Sequence, residues 1–308
     1  MTPMKILTSP SSFGQVGNEP FALLAKNGYE AINNPYGRKL TEDEVIELAK
    51  DCIGIVAGVE PLTARVMDAL PNLKVISRVG IGMDSVDLEY AKQKGIIVKN
   101  TPDGPTRAVA ELTLGMTLSL LRRIPQADAS LKNKVWKKQT GNLILDKKIG
   151  VIGLGRIGRL VSQLFRGIGN PVIGFDPFAD QAWATSNGVE LADFETVLKL
   201  ADIITLHVPG NADKSPVIAA KELELMKPTA QLINISRGGI VDEDALYTAL
   251  STGKLAAAAI DVFVDEPYSG PLTGLDNVIL TPHIGSYAEE GKLLMEIEAV
   301  KNLIAELK

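Results

Sequence analysis

Lys148-Ile149-Gly150-Val151-Ile152-Gly153-Leu154-Gly155-Arg156-Ile157-Gly158 is the stretch from which the rest of the chain is read. It begins as an apolar run of strand type and turns through three glycines spaced G-x-G-x-x-G. A helical pattern follows from Arg159 through Phe165, with Leu160, Val161, Leu164 and Phe165 on one face. Strand, glycine turn and helix together are the context in which this spacing binds a dinucleotide. Gly153 permits the tight turn, Gly155 lets the backbone approach a pyrophosphate, and Gly158 lets the helix pack close on the strand. The N–H groups at the helix start then face the phosphate anion. The bland alternative is a glycine turn of the kind found in any α/β protein.

A second signal weighs against that alternative. Pro171-Val172-Ile173-Gly174-Phe175-Asp176 reads as the next strand, ending in an acid about 20 residues beyond the turn, where a carboxylate accepts hydrogen bonds from ribose hydroxyls. Pro177, Phe178 and Ala179 follow, with no Arg or Lys to pair a 2′-phosphate, so the expected cofactor is NAD and not NADP. Asp176 as a strand-end turn residue is the other reading.

At 308 residues the chain suits two domains. A net charge of −5 gives no basic footprint, so nucleic acid is not an expected partner. Cys52 is the only cysteine, which excludes an internal disulfide and a thiolate metal cluster, and two histidines are too few for a His-rich metal site. No apolar run reaches membrane-spanning length, so no membrane partner is expected. The Met1–Thr8 stretch turns polar too soon for a signal peptide, which makes a cytoplasmic location the default; Met4 is an alternative start.

Strand and helix patterns alternate along the first hundred residues, which read as a small parallel α/β unit. Thr41-Glu42-Asp43-Glu44 opens one of its helices with an N-cap and a reciprocal acid three residues on. Arg78-Val79-Gly80-Ile81-Gly82 is a second glycine-rich turn after a strand. It is either a turn without a ligand or a set of N–H groups offered to an anionic substrate. Asn100-Thr101-Pro102-Asp103-Gly104-Pro105 is the strongest break in the chain and the expected crossing between domains. A long helix is expected from Thr106 through Ile124, apolar on several faces and buried within its subunit or against a second one. Beyond the nucleotide turn the alternation resumes and ends in an amphipathic helix from Glu289 to Leu307.

In an open parallel sheet, ligands lie at the carboxyl ends of the strands. That rule selects His207, Ser236, Arg237, Asp261, Glu266 and His283, each of which follows a strand pattern. Nicotinamide chemistry moves a hydride; the protein must supply a proton and hold the substrate. His283 suits the proton, and a carboxylate beside it, with Glu266 the nearest candidate, would orient the ring and favour its protonated form. Arg237 would clamp a substrate carboxylate with its planar fork of donors. Plainer readings are a loop residue near the cofactor for His207, a salt bridge for Arg237 and a solvated loop acid for Glu266.

Asn234-Ile235-Ser236-Arg237-Gly238-Gly239-Ile240-Val241-Asp242-Glu243, Asp261-Val262-Phe263-Val264-Asp265-Glu266-Pro267 and Thr281-Pro282-His283-Ile284-Gly285 resemble the signatures of the NAD-dependent D-2-hydroxyacid dehydrogenases. The nucleotide turn and Val109-Ala110-Glu111-Leu112-Thr113 match as well, and the phosphoglycerate dehydrogenase branch is the nearest. The resemblance implies two Rossmann-like domains with doubly wound parallel sheets and an active-site cleft between them. It assigns 1–100 plus 287–308 to a flavodoxin-like substrate domain and 101–286 to the NAD domain. It implies Arg237, Glu266 and His283 as the catalytic set, with the backbone at Val79 and Gly80, together with Arg237, holding the substrate. Cofactor contacts fall on Gly153, Gly155, Arg156, Ile157, Gly158, Asp176, His207, Val208, Pro209, Ile235, Ser236, Asp261, Gly285 and Ser286, with Asp261 at the nicotinamide carboxamide. Members are typically homodimers joined through the nucleotide domain.

Two departures bear on the substrate. The regulated phosphoglycerate dehydrogenases place a basic residue for the substrate phosphate where this chain has Ala57, in Ala57-Gly58-Val59-Glu60-Pro61. The chain also stops after its closing helix, so serine feedback through a further domain is not expected. The expected activity is interconversion of a D-2-hydroxy acid and its 2-oxo acid with NAD, with 3-phosphoglycerate one candidate. The alternatives are a glyoxylate or hydroxypyruvate reductase and, in another class, an NADH-sensing binding protein of dehydrogenase type.

Overall fold

The computed structural model describes residues 3–211, 213 and 215–308; Met1 and Thr2, and with them part of the start-site question, lie outside the described residues. The first part of the chain forms β1 (Met4–Thr8), α1 (Glu19–Lys26), β2 (Tyr29–Asn33), α2 (Glu42–Ala49), β3 (Cys52–Ala57), α3 (Ala64–Ala69), β4 (Val75–Arg78), α4 (Leu88–Gln93), β5 (Ile97–Lys99) and α5 (Asp103–Arg122). Next come α6 (Ile124–Lys132), β6 (Ile149–Ile152), α7 (Arg156–Gly167), β7 (Val172–Phe175), α8 (Gln181–Ser186), β8 (Val189–Leu191), α9 (Phe194–Leu200) and β9 (Ile203–Leu206). The chain ends with α10 (Ala220–Leu225), β10 (Gln231–Asn234), α11 (Glu243–Ser251), β11 (Ala257–Ile260), a 3₁₀ turn at Pro271–Gly274, β12 (Val278–Leu280) and α12 (Glu289–Leu307). Two compact units result, one of residues 1–108 with 286–308 and one of residues 109–285.

The first unit carries a parallel sheet in the order β2-β1-β3-β4-β5, the flavodoxin-like arrangement. Helix α12 packs on β3 and β4 and buries Ala299, Val300 and Leu303 in one core with Ile6, Val56 and Val75. Gly54 makes that approach possible, because a Cβ there would lie 2.9 Å from Leu303 Cδ1. The expected capping box opens α2: Glu44 N donates to Thr41 Oγ1 and Thr41 N donates to Glu44 Oε2 at 2.8 Å.

The second unit carries a seven-stranded parallel sheet, β12-β11-β10-β9-β6-β7-β8. Counted from β6, this is the dinucleotide-binding order with one strand added beyond β11, and strand order reverses between β6 and β9. Its central strands are buried along their length, as a sheet covered on both faces requires.

Two local features differ from the sequence expectations, and a third element was not anticipated. Helix α5 begins at Asp103, not Thr106, and takes Pro105 into its first turn, where N–H groups have no intrahelical acceptor and proline costs nothing. The long helix then ends at Arg122; Arg123 adopts a left-handed φ of 52°, and α6 starts afresh with a proline in its first turn. The stretch after Asp176 holds a further unit, α8 capped by Asp180 and closed before β8 by Gly188 at φ +66°.

Candidate active site

The nucleotide turn lies where the strand order of the second sheet reverses. Gly153 follows β6 with φ +93°, and a Cβ there would lie 2.3 Å from the carbonyl oxygen of His207, just past β9. A Cβ on Gly158 would lie 1.8 Å from Gly153 O, so helix and turn touch backbone to backbone. Gly155 is different: a Cβ would meet nothing within 4 Å. Gly155 is also the N-cap of α7, with no side-chain cap and no acid in the first turn. By contrast, α8, α9 and α11 are each capped by an aspartate, Asp180, Asp193 and Asp242. An uncapped helix start beside open space fits a pyrophosphate on both charge and room.

Asp176 is part of the same construction. Its Oδ2 accepts from Leu154 N at 2.7 Å and its Oδ1 from Phe178 N at 2.8 Å. The strand-end turn role is therefore real. It leaves the ribose role open, since each carboxylate oxygen keeps a second lone-pair site.

His207 Nε2 lies 2.9 Å from Thr205 Oγ1, and desolvation of the ring pushes its pKa down to about 3. The imidazole is neutral at ordinary pH and is no proton donor. Val208 abuts the turn, 2.9 Å from the Cβ position of Gly153. Ser236, past β10, donates from its Oγ to the carbonyl of Leu206 and ties two neighbouring strand ends together.

The remaining strand ends bring a histidine and a glutamate together. His283 Nδ1 lies 3.0 Å from Glu266 Oε2, and Glu266 Oε1 accepts from Phe263 N at 3.1 Å. The Glu266 carboxyl is thus held at one oxygen and contacts the ring at Nδ1 with the other. His283 has φ +54°, uncommon for a residue with a Cβ. The loop overdetermines that conformation: His283 N donates to Thr281 O, while Thr281 Oγ1, Ile284 N and Gly285 N all donate to Asp261. Asp261 is fully buried, and burial raises its pKa. In the structure it is the staple of the histidine loop. Arg237 donates from a guanidinium nitrogen to Ser236 O at 2.7 Å. Beside it, a Cβ on Gly238 would lie 1.9 Å from Phe263 O, so the arginine loop and the glutamate turn are in backbone contact.

Val79 and Gly80 belong to the other unit. Val79 N donates to Ala57 O at 2.8 Å and Gly80 N to Thr101 Oγ1 at 2.6 Å. Both amides are committed within the unit, and the Arg78 guanidinium packs over Gly80, 1.5 Å from where a Cβ would be. Thr101, Thr281, Phe263 and Tyr268 have structural parts that the sequence reading did not assign. Thr281 was legible as a polar residue directly after a strand; Thr101 accepts from a backbone amide, Phe263 donates from its own, and Tyr268 acts through its ring and hydroxyl, contacts that no spacing announces.

A G-x-G-x-x-G turn and a His–Glu pair thus stand at the carboxyl edge of one parallel sheet. Residues 114–285 match the model of the D-isomer specific 2-hydroxyacid dehydrogenase, NAD binding domain. The chain is 46% identical over 258 residues to a D-3-phosphoglycerate dehydrogenase of Methanocaldococcus jannaschii, covering 82% of this chain and 49% of the relative. The chain belongs to the D-isomer specific 2-hydroxyacid dehydrogenases, and its second unit is their NAD-binding domain. It spans about half the length of the curated relatives it matches. Among solved structures, a Thermus thermophilus protein superposes with a TM-score of 0.91 at 32% identity, covering 99% of this chain and 97% of that one. An NADPH-dependent glyoxylate/hydroxypyruvate reductase of Sinorhizobium meliloti superposes with a TM-score of 0.86 at 29% identity, covering 99% and 95%. Among the described residues no helix is long and apolar enough to cross a membrane, and no group of three or more His, Cys, Asp or Glu side chains is placed to hold a metal.

Proposed function

We propose that this chain interconverts a D-2-hydroxy acid and its 2-oxo acid with NAD. The observation that carries the reading is the His283–Glu266 pair at 3.0 Å, built on the strand ends of the sheet that bears the nucleotide turn. A nicotinamide cofactor held at the Gly153–Gly158 turn would supply the hydride for the 2-oxo carbon. His283 holds the proton and gives it from Nε2 to the carbonyl oxygen. Glu266 orients the ring. Arg237 takes the substrate carboxylate and draws on the carbonyl. The turn at Val79 and Gly80 is proposed as a further substrate contact, on the resemblance to the family. Asp176 holds the ribose, and the residues beside it carry no cation for a 2′-phosphate, which favours NAD over NADP.

The relatives named D-3-phosphoglycerate dehydrogenase make 3-phosphohydroxypyruvate the first substrate to test. Ala57, an uncharged and buried residue closing β3, favours an unphosphorylated 2-oxo acid as the second reading. NADH oxidation with 3-phosphohydroxypyruvate, hydroxypyruvate and glyoxylate separates the two. In the reactive pair, His283→Ala is expected to lower kcat about 10³-fold while NADH binding, followed by fluorescence, stays within a few-fold. Full turnover in that variant would sink the assignment. We assign the chain to the cytoplasm and to a homodimer through the nucleotide-binding unit, whose surface exposes Ile124, Leu131, Val135, Trp136, Leu143 and Leu145. Sedimentation of wild type against Trp136→Asp tests the dimer.

A further inference from the structure

Glu266 is placed by a turn whose first residue, Phe263, makes an aromatic contact. The Phe263 and Tyr268 rings stack with centroids 4.2 Å apart and planes 17° apart. Phe263 is engaged at each of its groups. Its N–H donates to Glu266, its carbonyl abuts Gly238, and its buried ring meets Tyr268. Tyr268 is anchored in turn. Leu272 N donates to its Oη at 3.3 Å, and Leu272 is fully buried in the 3₁₀ turn that contacts α11. Gly270 makes room for the ring, since a Cβ there would lie 2.4 Å from the Tyr268 oxygen. Val264 N donates to Glu243 Oε1 and holds the backbone beyond Phe263, while the Phe263 ring lies in the core of the second unit with Tyr268 packed against it.

We propose that Tyr268 is a positioning residue for proton transfer: its ring fixes Phe263, the Phe263 N–H fixes one oxygen of Glu266, and the other oxygen fixes His283. The stack carries catalytic weight because a shift of about 1 Å in a reacting group can cost 10²-fold in rate. The ring is what matters; the hydroxyl serves only to seat it on Leu272.

The proposal rests on the function proposed above, and the test separates the two. Wild type, Glu266→Gln, Tyr268→Phe, Tyr268→Leu and the Glu266→Gln/Tyr268→Leu double variant are assayed for 2-oxo acid reduction by NADH. Far-UV circular dichroism and NADH binding confirm that each is folded. Tyr268→Phe keeps the stack and is expected to keep kcat within about twofold, while Tyr268→Leu loses about tenfold or more with KM for NADH unchanged. The pH dependence of kcat in Tyr268→Leu moves in the same direction as in Glu266→Gln. In the Glu266→Gln background, Tyr268→Leu has no further effect, since its action runs through the missing carboxylate. Additive losses, or an unchanged kcat in folded Tyr268→Leu, overturn the positioning role and leave the His–Glu reading intact. An unchanged kcat in Glu266→Gln overturns both. If Tyr268→Leu does not fold, Phe263→Leu keeps the backbone N–H and breaks the stack from the other side. The same readouts then apply, and the same results support or overturn the positioning role.

Discussion

The chain makes two glycine-rich turns at carboxyl ends of parallel strands, Arg78–Gly82 after β4 and Gly153–Gly158 after β6, and they differ in what occupies the space beside the glycines. At Gly153 and Gly158 that space holds the protein's own backbone; at Gly155 it is open. At Gly80 it is filled by the flexible end of Arg78, and the turn amides are bonded inward to Ala57 and Thr101. One turn has a rigid backbone frame with a single open position. The other is closed by groups that can move. A glycine motif therefore states where backbone comes close, but the neighbouring atoms decide whether anything else can enter.

The largest effect expected from breaking the rigid frame is at Gly158. Its Cβ would fall 1.8 Å from a backbone oxygen, so Gly158→Ala must part α7 from β6. A loss of about 3 kcal/mol or more in urea unfolding is expected, at the upper end for overpacking because no side chain can yield. Unchanged stability would mean that the helix and turn are not in contact.

Gly155→Ala isolates the open position. The added methyl meets no protein atom, so the melting temperature should stay the same while the Kd for NADH rises about tenfold, roughly 1.4 kcal/mol. Unaltered NADH affinity would show that no phosphate approaches Gly155, and the difference between the two turns would lose its functional meaning.

Most of this frame was legible in the sequence, and the reasons are local. Strands of a sheet covered on both faces are short continuous apolar runs, and glycines mark their ends. Thr41 and Glu44 announce a helix start with a pattern that the structure reproduces atom for atom. The Glu266–His283 contact followed from two strand-end loops and the resemblance together. The departures have physical causes too. Arg123 breaks the long helix by taking a left-handed conformation that glycine or asparagine would have advertised; Pro125 was the only cue. Asp180 and the Asn187-Gly188 pair bracket α8, but six residues carry too little periodicity to stand out. The staple that Asp261 forms with Thr281, Ile284 and Gly285 depends on backbone amides brought together by folding, which no side-chain pattern encodes.

The second turn gives a smaller and different response. Gly80 has φ +125°, so Gly80→Ala is strained whatever the space, while the Arg78 guanidinium is the far end of a flexible side chain and can swing away. A loss of about 1–2 kcal/mol is expected, with NADH affinity unchanged and KM for the 2-oxo acid raised. A fall in NADH affinity equal to that of Gly155→Ala would erase the contrast between the turns.

The smallest expected effects extend the comparison from the turns to the units that carry them, through one titratable group in each, His207 partly buried and Glu296 fully so. In the second unit, His207 has its pKa pushed down to about 3 by burial, against an ordinary 6.5. The unfolded chain binds a proton that the folded chain refuses, so stability falls as pH drops below 6.5 and continues to fall toward pH 3. Between pH 8 and pH 6 the loss is about 0.8 kcal/mol, and His207→Gln should remove it. In the first unit, Glu296 is fully buried, and burial raises its pKa although Gly14 N donates to Oε2 and Lys292 lies 3.8 Å from Oε1. Here the folded chain keeps a proton that the unfolded chain releases, so the sign reverses and stability falls as pH rises above the ordinary carboxyl range. Glu296→Gln should stabilise at neutral pH, with the gain fading toward pH 4. Urea midpoints of each variant minus wild type, taken from pH 4 to pH 8, should slope in opposite directions; parallel slopes would show that one of the two groups is solvated in the folded protein.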